Sequence, residues 1–270
     1  MPLIEDSAVC VRVWDWSETS QTAVLMTREH GMVRVLAKGS KRERSAFSGG
    51  LELCTQGQFA AIVKPNADLA LLTIWDLEQP MLGIRQNLSA YHSAMLGVDL
   101  IPRLIQDHDP HPAVFDSLMH LLDHCQRAHQ IDPGQSKHQT LSILAWYQWA
   151  VLVAIGAMPV VGYDVMTGEL LQDADVYGFS AQLGGVTQDP ITMSSNQGQS
   201  RTMTNGVWRV RAETIQIMHS LGEDPEISKF MDCSPDQITR VASLLGAYIR
   251  ERTGTDIPAM NWLISPSFDA

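Results

Sequence analysis

The fold class predicted for this chain is α+β: a small closed barrel of five strands, followed by a helical bundle. Three observations predict it. Up to about residue 79 the apolar residues alternate and the segments between them carry turn residues. From Pro80 onward the apolar period becomes that of helices. The apolar fraction is 45% and the charged fraction 18%, values of an ordinary packed protein long enough for two modest domains. The expected division is a barrel at 1–79 and a helical domain at 80–270, the latter interrupted by an irregular insertion at about 160–206.

The first strand is AVCVRVW (8–14), with Val9, Val11 and Val13 on one face and Arg12 on the other. TAVLMT (22–27) and MVRVLAK (32–38) form a hairpin about Glu29-His30-Gly31. LELCTQGQFAAIV (51–63), bent at Gly57, and LALLTIW (69–75) complete the set. Five strands within about 75 residues suit a small barrel.

Helices are expected at roughly 82–106, then from an Asp109-Pro110 cap to about 126, where Val114, Phe115, Leu118, Leu121, Leu122 and Cys125 share one face. Residues 139–163 carry no charge and are long enough to span a bilayer. The stretch includes Gln148, Gly156 and Pro159, and its densest apolar run, 150–161, is too short to cross, so a core helix ending near Gly156 is the preferred reading. A hairpin or irregular excursion follows, then a polar loop at 187–206. Two helices, about 207–221 and 235–253, close the chain; the second opens with Ser234-Pro235-Asp236-Gln237, a capping-box spacing.

No basic and apolar leader opens the chain, so a secreted protein is not expected. Cys10, Cys54, Cys125 and Cys233 lie far apart, which suits reduced, buried or indifferent thiols. The phosphate loop, the G-x-S-x-G elbow and the dinucleotide fingerprint are all missing. His120-Leu121-Leu122-Asp123-His124 places two imidazoles one helical turn apart, as a metal hydrolase would, but Asp stands where a Glu base belongs and no third ligand is evident. The simpler reading is a solvated helix face.

Charge is uneven. Residues 1–50 hold seven Lys/Arg against six Asp/Glu, leaving twelve against twenty-four for the rest of a chain of net charge −11. A polyanion would be drawn to the N-terminal part and repelled elsewhere. Within AKGSKRERSAFSGG (37–50), Lys38, Lys41, Arg42 and Arg44 alternate with Ser45 and other small residues that let phosphate reach backbone N–H groups. By composition alone such a run is a solvated connection. Arg34, however, lies on the same strand face as Lys38 and extends the field, with Arg28 and Arg12 as outlying members. Trp14, Trp16 and Phe47 are candidate stacking partners.

Thr27-Arg28-Glu29-His30-Gly31, the run Val33 to Ser45 and Gly50-Leu51-Glu52-Leu53 together resemble the barrel signature of the RecO family of recombination mediators in DNA repair. Tyr91 to Leu96, Pro110 to Leu118 and Leu144 to Pro159 are similar to its helices. The resemblance implies an OB-like barrel, single- and double-stranded DNA as ligands, strand annealing, and help in loading a RecA-type recombinase. It further implies RecR and single-stranded-DNA-binding protein as partners, no enzymatic activity, no cofactor, and a cytoplasmic, nucleoid-associated place. Where the family often has a zinc-binding C-x-x-C-G, this chain has Asp164-Val165-Met166-Thr167-Gly168, so a degenerate, metal-free remnant of that motif is expected. The alternative is an adaptor that binds proteins and not DNA.

Overall fold

Alternation in the N-terminal segment becomes five strands: β1 (Leu3–Asp15), β2 (Gln21–Thr27), β3 (Met32–Ala37), β4 (Gln56–Ile62) and β5 (Ala70–Gln79). The computed structural model describes residues 2–42, 47, 50–64, 67–189, 206–222 and 225–263. The strands close into a barrel in the order β1-β2-β3-β5-β4. All pairs are antiparallel except β3 with β5, which meet in parallel at Val35 and Leu36.

The barrel interior is filled by Ala8, Cys10, Ala23, Leu25, Val33, Val35, Phe59, Ala61, Leu72 and Trp75. β1 departs from the simple alternation. A register shift between Cys10 and Arg12 brings Ala8, Cys10 and then Val13 to the barrel core, while Val9 and Val11 are also buried. The added residue of a bulge reverses the face of everything after it. Residues 51–55 form no strand and turn at 53–54, so the strand expected from 51 begins at Gln56; its register shifts at Gly57, where the bend was expected. The hairpin glycine, Gly31, takes φ 67°, and a Cβ there would lie 2.4 Å from the Asp109 carbonyl oxygen. Both the turn and the close approach require glycine.

The chain divides into two compact units, Met1–Thr140 and Leu141–Ala270. The change from barrel to helix near residue 80 is therefore not where the units part. In the first unit a 3-10 turn (Leu82–Gln86) precedes α1 (Leu88–Leu104), so the single helix expected at 82–106 is split. Asn87, extended at φ −134°, accepts a hydrogen bond from the Ala90 N–H at 3.0 Å and starts α1 afresh. α1 packs on β1 and on α2 (Pro112–Arg127). Pro112, not Pro110, occupies the first turn of α2, with His111 at the N-cap, while the Asp109 backbone lies against Gly31. The expected stripe from Val114 to Cys125 is buried.

α3 (Pro133–Ala154) continues into the second unit. It ends as expected: the Gly156 N–H donates to Val153 and the Ala157 N–H to Leu152, the paired bonds of a left-handed helix terminus. No helix among the described residues is long and apolar enough to cross a membrane. The excursion after α3 contains more order than a hairpin. β6 (Val176–Ser180), β7 (Gly185–Thr187) and β8 (Val207–Arg211) form a sheet in the order β7-β6-β8. Most of the polar loop expected at 187–206 lies outside the described residues. The helix expected from 207 is corrected: V-W-R-V-R alternates, buries Val210 and stacks Trp208 on Phe179 at 5.9 Å, and α4 (Ala212–Leu221) begins only after it. α5 (Ile227–Met231) and α6 (Pro235–Thr253) follow, the latter with the complete Ser234/Gln237 capping box.

Candidate nucleic-acid interface

Strand register assembles this site. Gln21, the first residue of β2, is the pairing partner of Asp15 at the end of β1 and of Ala37 at the end of β3. The β1–β2 turn and the basic loop after β3 therefore emerge side by side. Main-chain bonds then join them. The Gly39 N–H donates to Ser20 Oγ at 3.1 Å, the Lys41 N–H to the Thr19 carbonyl at 3.1 Å, and the Arg42 N–H back to the Gly39 carbonyl at 3.1 Å. Gly39 sits at φ 70°, and a Cβ there would touch the Arg42 side chain at 3.4 Å. The A-K-G-S-K pattern thus writes a tight turn.

Gln21 also clamps both ends of the loop. Its Oε1 accepts from the buried Ser40 hydroxyl at 2.9 Å and from the Leu51 N–H at 3.0 Å, while its Nε2 donates to the Leu51 carbonyl at 3.1 Å. On the outer side lies a depression of about 410 Å³, lined by Trp16, Ser17, Ser20, Leu36, Lys38, Gly39 and Arg42. The Trp16 side chain is 63% exposed, and the main-chain N–H of Trp16 donates to the Ser20 carbonyl at 2.9 Å.

The basic residues expected to contact DNA separate into two groups. Lys38 and Arg42 are exposed at the depression, and no ion pair involves them among the described residues. Lys41 stands beside them, paired with Asp15. The others face carboxylates of α1, of α2 and of the segment between them. Arg12 pairs with Asp99 of α1 at 2.8 Å, and Arg28 takes both carboxylate oxygens of Asp116 on α2 at 3.1 Å. Arg34 meets Asp107 at 2.6 Å. Arg34 and Lys38 do share the outer strand face, yet the positive strip expected along it is interrupted, because Asp107 neutralises Arg34 locally. Arg44 and Ser45 lie outside the described residues. Among the aromatic candidates Phe47 is only 6% exposed and packs in the barrel core, whereas Trp14 and Trp16 remain outside at 48% and 63%.

Sequence reasoning named Trp16 only as one of three aromatics and missed Ser20 and Gln21. The polar turn W-S-E-T-S-Q was visible; its place beside the loop was not, since that depends on β2 pairing with both neighbours.

Among the described residues the remaining titratable groups support no second chemical site. His120 is exposed and His124 half-buried, its pKa lowered by burial. Among the described residues no three His, Cys, Asp or Glu side chains converge as metal ligands. Burial pushes the Cys54 thiol up to about 12 and the Cys10 and Cys125 thiols higher still, which leaves them protonated and inert. Asp164, only 2% exposed, is held by hydrogen bonds: its carboxylate accepts from the Met166 N–H at 2.7 Å, the Thr187 hydroxyl at 3.0 Å and the Gln188 N–H at 3.1 Å. A second concavity, about 620 Å³, is apolar and lies where Leu53, Cys54, Met81, Leu88, Tyr91 and Met95 come together.

Residues 1–81 match the family model described as Recombination protein O N terminal. The chain is 34% identical to the DNA repair protein RecO of Rhodopirellula baltica over 119 residues, 43% of this chain and 44% of that protein. It is 28% identical to the DNA repair protein RecO of Idiomarina loihiensis over 67% of this chain and 73% of that one. To its counterpart from Anaeromyxobacter sp. it is 27% identical over 77% and 79%. The match thus covers less than half of the first protein's length and about three quarters of the other two. The resemblance to the RecO family read from the residues is borne out.

Proposed function

We propose that this RecO-like chain serves DNA repair as a mediator that binds single- and double-stranded DNA through its barrel, promotes annealing of complementary strands and helps load recombinase onto DNA coated by single-strand-binding protein. In this reading RecR and single-stranded-DNA-binding protein are its partners, it works in the cytoplasm at the nucleoid, and it makes or breaks no bond itself. One observation carries the reading: Lys38 and Arg42 stand without carboxylate partners among the described residues, beside an exposed tryptophan, in the segment that matches the RecO N-terminal model. A five-stranded barrel of this order, with basic groups on its rim, suits an extended phosphate backbone.

Two full phosphate contacts contribute a slope of roughly 1.4 for single strands and 1.8 for duplex in log affinity against log salt. Fluorescence anisotropy of a labelled oligonucleotide at several salt concentrations tests this. The Lys38→Ala/Arg42→Ala variant should bind more weakly and lose a slope of about that size; unchanged affinity and slope would sink the assignment.

The second reading is an adaptor that docks proteins and not DNA. It is favoured by the apolar concavity, whose Leu53, Leu88 and Tyr91 are exposed. Absence of any salt-dependent anisotropy signal in the unmodified chain would select it.

A further inference from the structure

We infer that Trp16 is a stacking platform for one unpaired base, which makes the depression selective for single-stranded over duplex nucleic acid. The inference rests on the DNA-binding reading and deepens it.

A tryptophan left 63% exposed forgoes most of the burial its large ring could obtain. This ring is not on a loose tip. The main-chain N–H groups of Trp16 and Ser17 both donate to the Ser20 carbonyl, at 2.9 and 3.2 Å, closing the turn that carries it. That turn is joined to the basic loop by the Gly39 to Ser20 and Lys41 to Thr19 bonds. The backbone that carries the indole is therefore fixed beside Lys38 and Arg42, and little main-chain ordering remains to be done when a ligand arrives.

The three groups ask for different parts of a nucleic acid. Lys38 and Arg42 take phosphate, which single strands and duplexes both present along their backbones. An indole takes the flat face of a base. In a duplex each face is covered by the next base pair, so only an unpaired or extruded base offers one. At about 410 Å³ the depression falls at the small end of ligand-sized cavities, which run from roughly 300 to 1,000 Å³. It suits a single nucleotide. Ser17, exposed on its wall, supplies a hydroxyl for the sugar or base edge. The cations thus set affinity for both forms, and Trp16 adds affinity for one.

The test is equilibrium binding of the full chain to a labelled mixed-sequence oligodeoxynucleotide and to the duplex with its complement, at matched salt. Trp16→Ala should weaken single-strand binding roughly 5- to 100-fold, the size of one base–aromatic stack, and leave duplex binding within about twofold. Trp16→Phe should keep most of the preference. The Lys38→Ala/Arg42→Ala variant should weaken both ligands. An unchanged urea midpoint for Trp16→Ala, expected at so exposed a position, verifies that the fold is intact. If Trp16→Ala weakens both ligands equally, or neither, while the cation variant weakens both, the stacking role is overturned and the DNA-binding reading stands. If the cation variant changes nothing, the DNA-binding reading falls, and this inference with it.

Discussion

Replacing Gln21 with Leu should destabilise the first unit by about 3 kcal/mol and loosen the basic loop, with little change in side-chain volume. Gln21 is 7% exposed, and its amide makes three hydrogen bonds, to Ser40 Oγ at 2.9 Å, to the Leu51 N–H at 3.0 Å and to the Leu51 carbonyl at 3.1 Å. Leucine keeps the bulk and removes all three. Each net bond is worth about 1 kcal/mol, and a buried donor left unpaired costs about 1–3 kcal/mol more. The Ser40 hydroxyl can turn toward another acceptor, but the Leu51 N–H is fixed by the chain, so the total falls near 3 kcal/mol, within roughly 2–5. Urea unfolding followed by tryptophan fluorescence should show a lower midpoint at unchanged slope. A double-mutant cycle with Ser40→Ala should be less than additive, because the two substitutions remove one shared bond. A loss below about 0.5 kcal/mol, within the range of ordinary surface substitutions, would refute the clamp.

Arg34→Ala should cost less than about 1 kcal/mol, since its pair with Asp107 is 46% and 38% exposed; it should leave the salt slope of oligonucleotide binding unchanged. Asp107→Asn should instead steepen that slope by up to about 0.7–0.9, by freeing Arg34 for phosphate. Asp164→Ala should lower the melting temperature in calorimetry through a loss of about 3 kcal/mol, as two main-chain N–H groups and the Thr187 hydroxyl lose one buried acceptor, with Asp164→Asn milder. Burial holds the His124 imidazole below its ordinary 6.5. As pH falls through that value the unfolded chain takes up a proton that the folded chain resists, so this contribution to stability is complete above about 6.5 and declines below it. His124→Leu should flatten that part of the urea-midpoint profile against pH.

What could be read without coordinates was local. Thr27 to Gly31 marks a hairpin because a left-handed glycine between two alternating runs leaves few other structures. The Ser234/Gln237 box starts α6 because its bonds span three residues. Where a short segment carried two meanings, reading failed. V-W-R-V-R at 207–211 resembles a helix entry until β6 pairs with it, and the β1 bulge changes which valines face the core only because β2 and β4 hold both edges.

The candidate site divides along the same line. From the sequence alone come the cations after the third strand, the glycine that turns their loop, and the acidic remainder that confines positive charge to this part of the chain. The tertiary structure alone decided which of the described cations of this part of the chain stay available. Arg34, Arg12 and Arg28 meet Asp107, Asp99 and Asp116 across 73, 87 and 88 positions of chain, a distance no local pattern spans. Among the described residues Lys38 and Arg42 make no such pair, and Trp16 stands beside them because β2 brings the ends of β1 and β3 to one rim of the barrel.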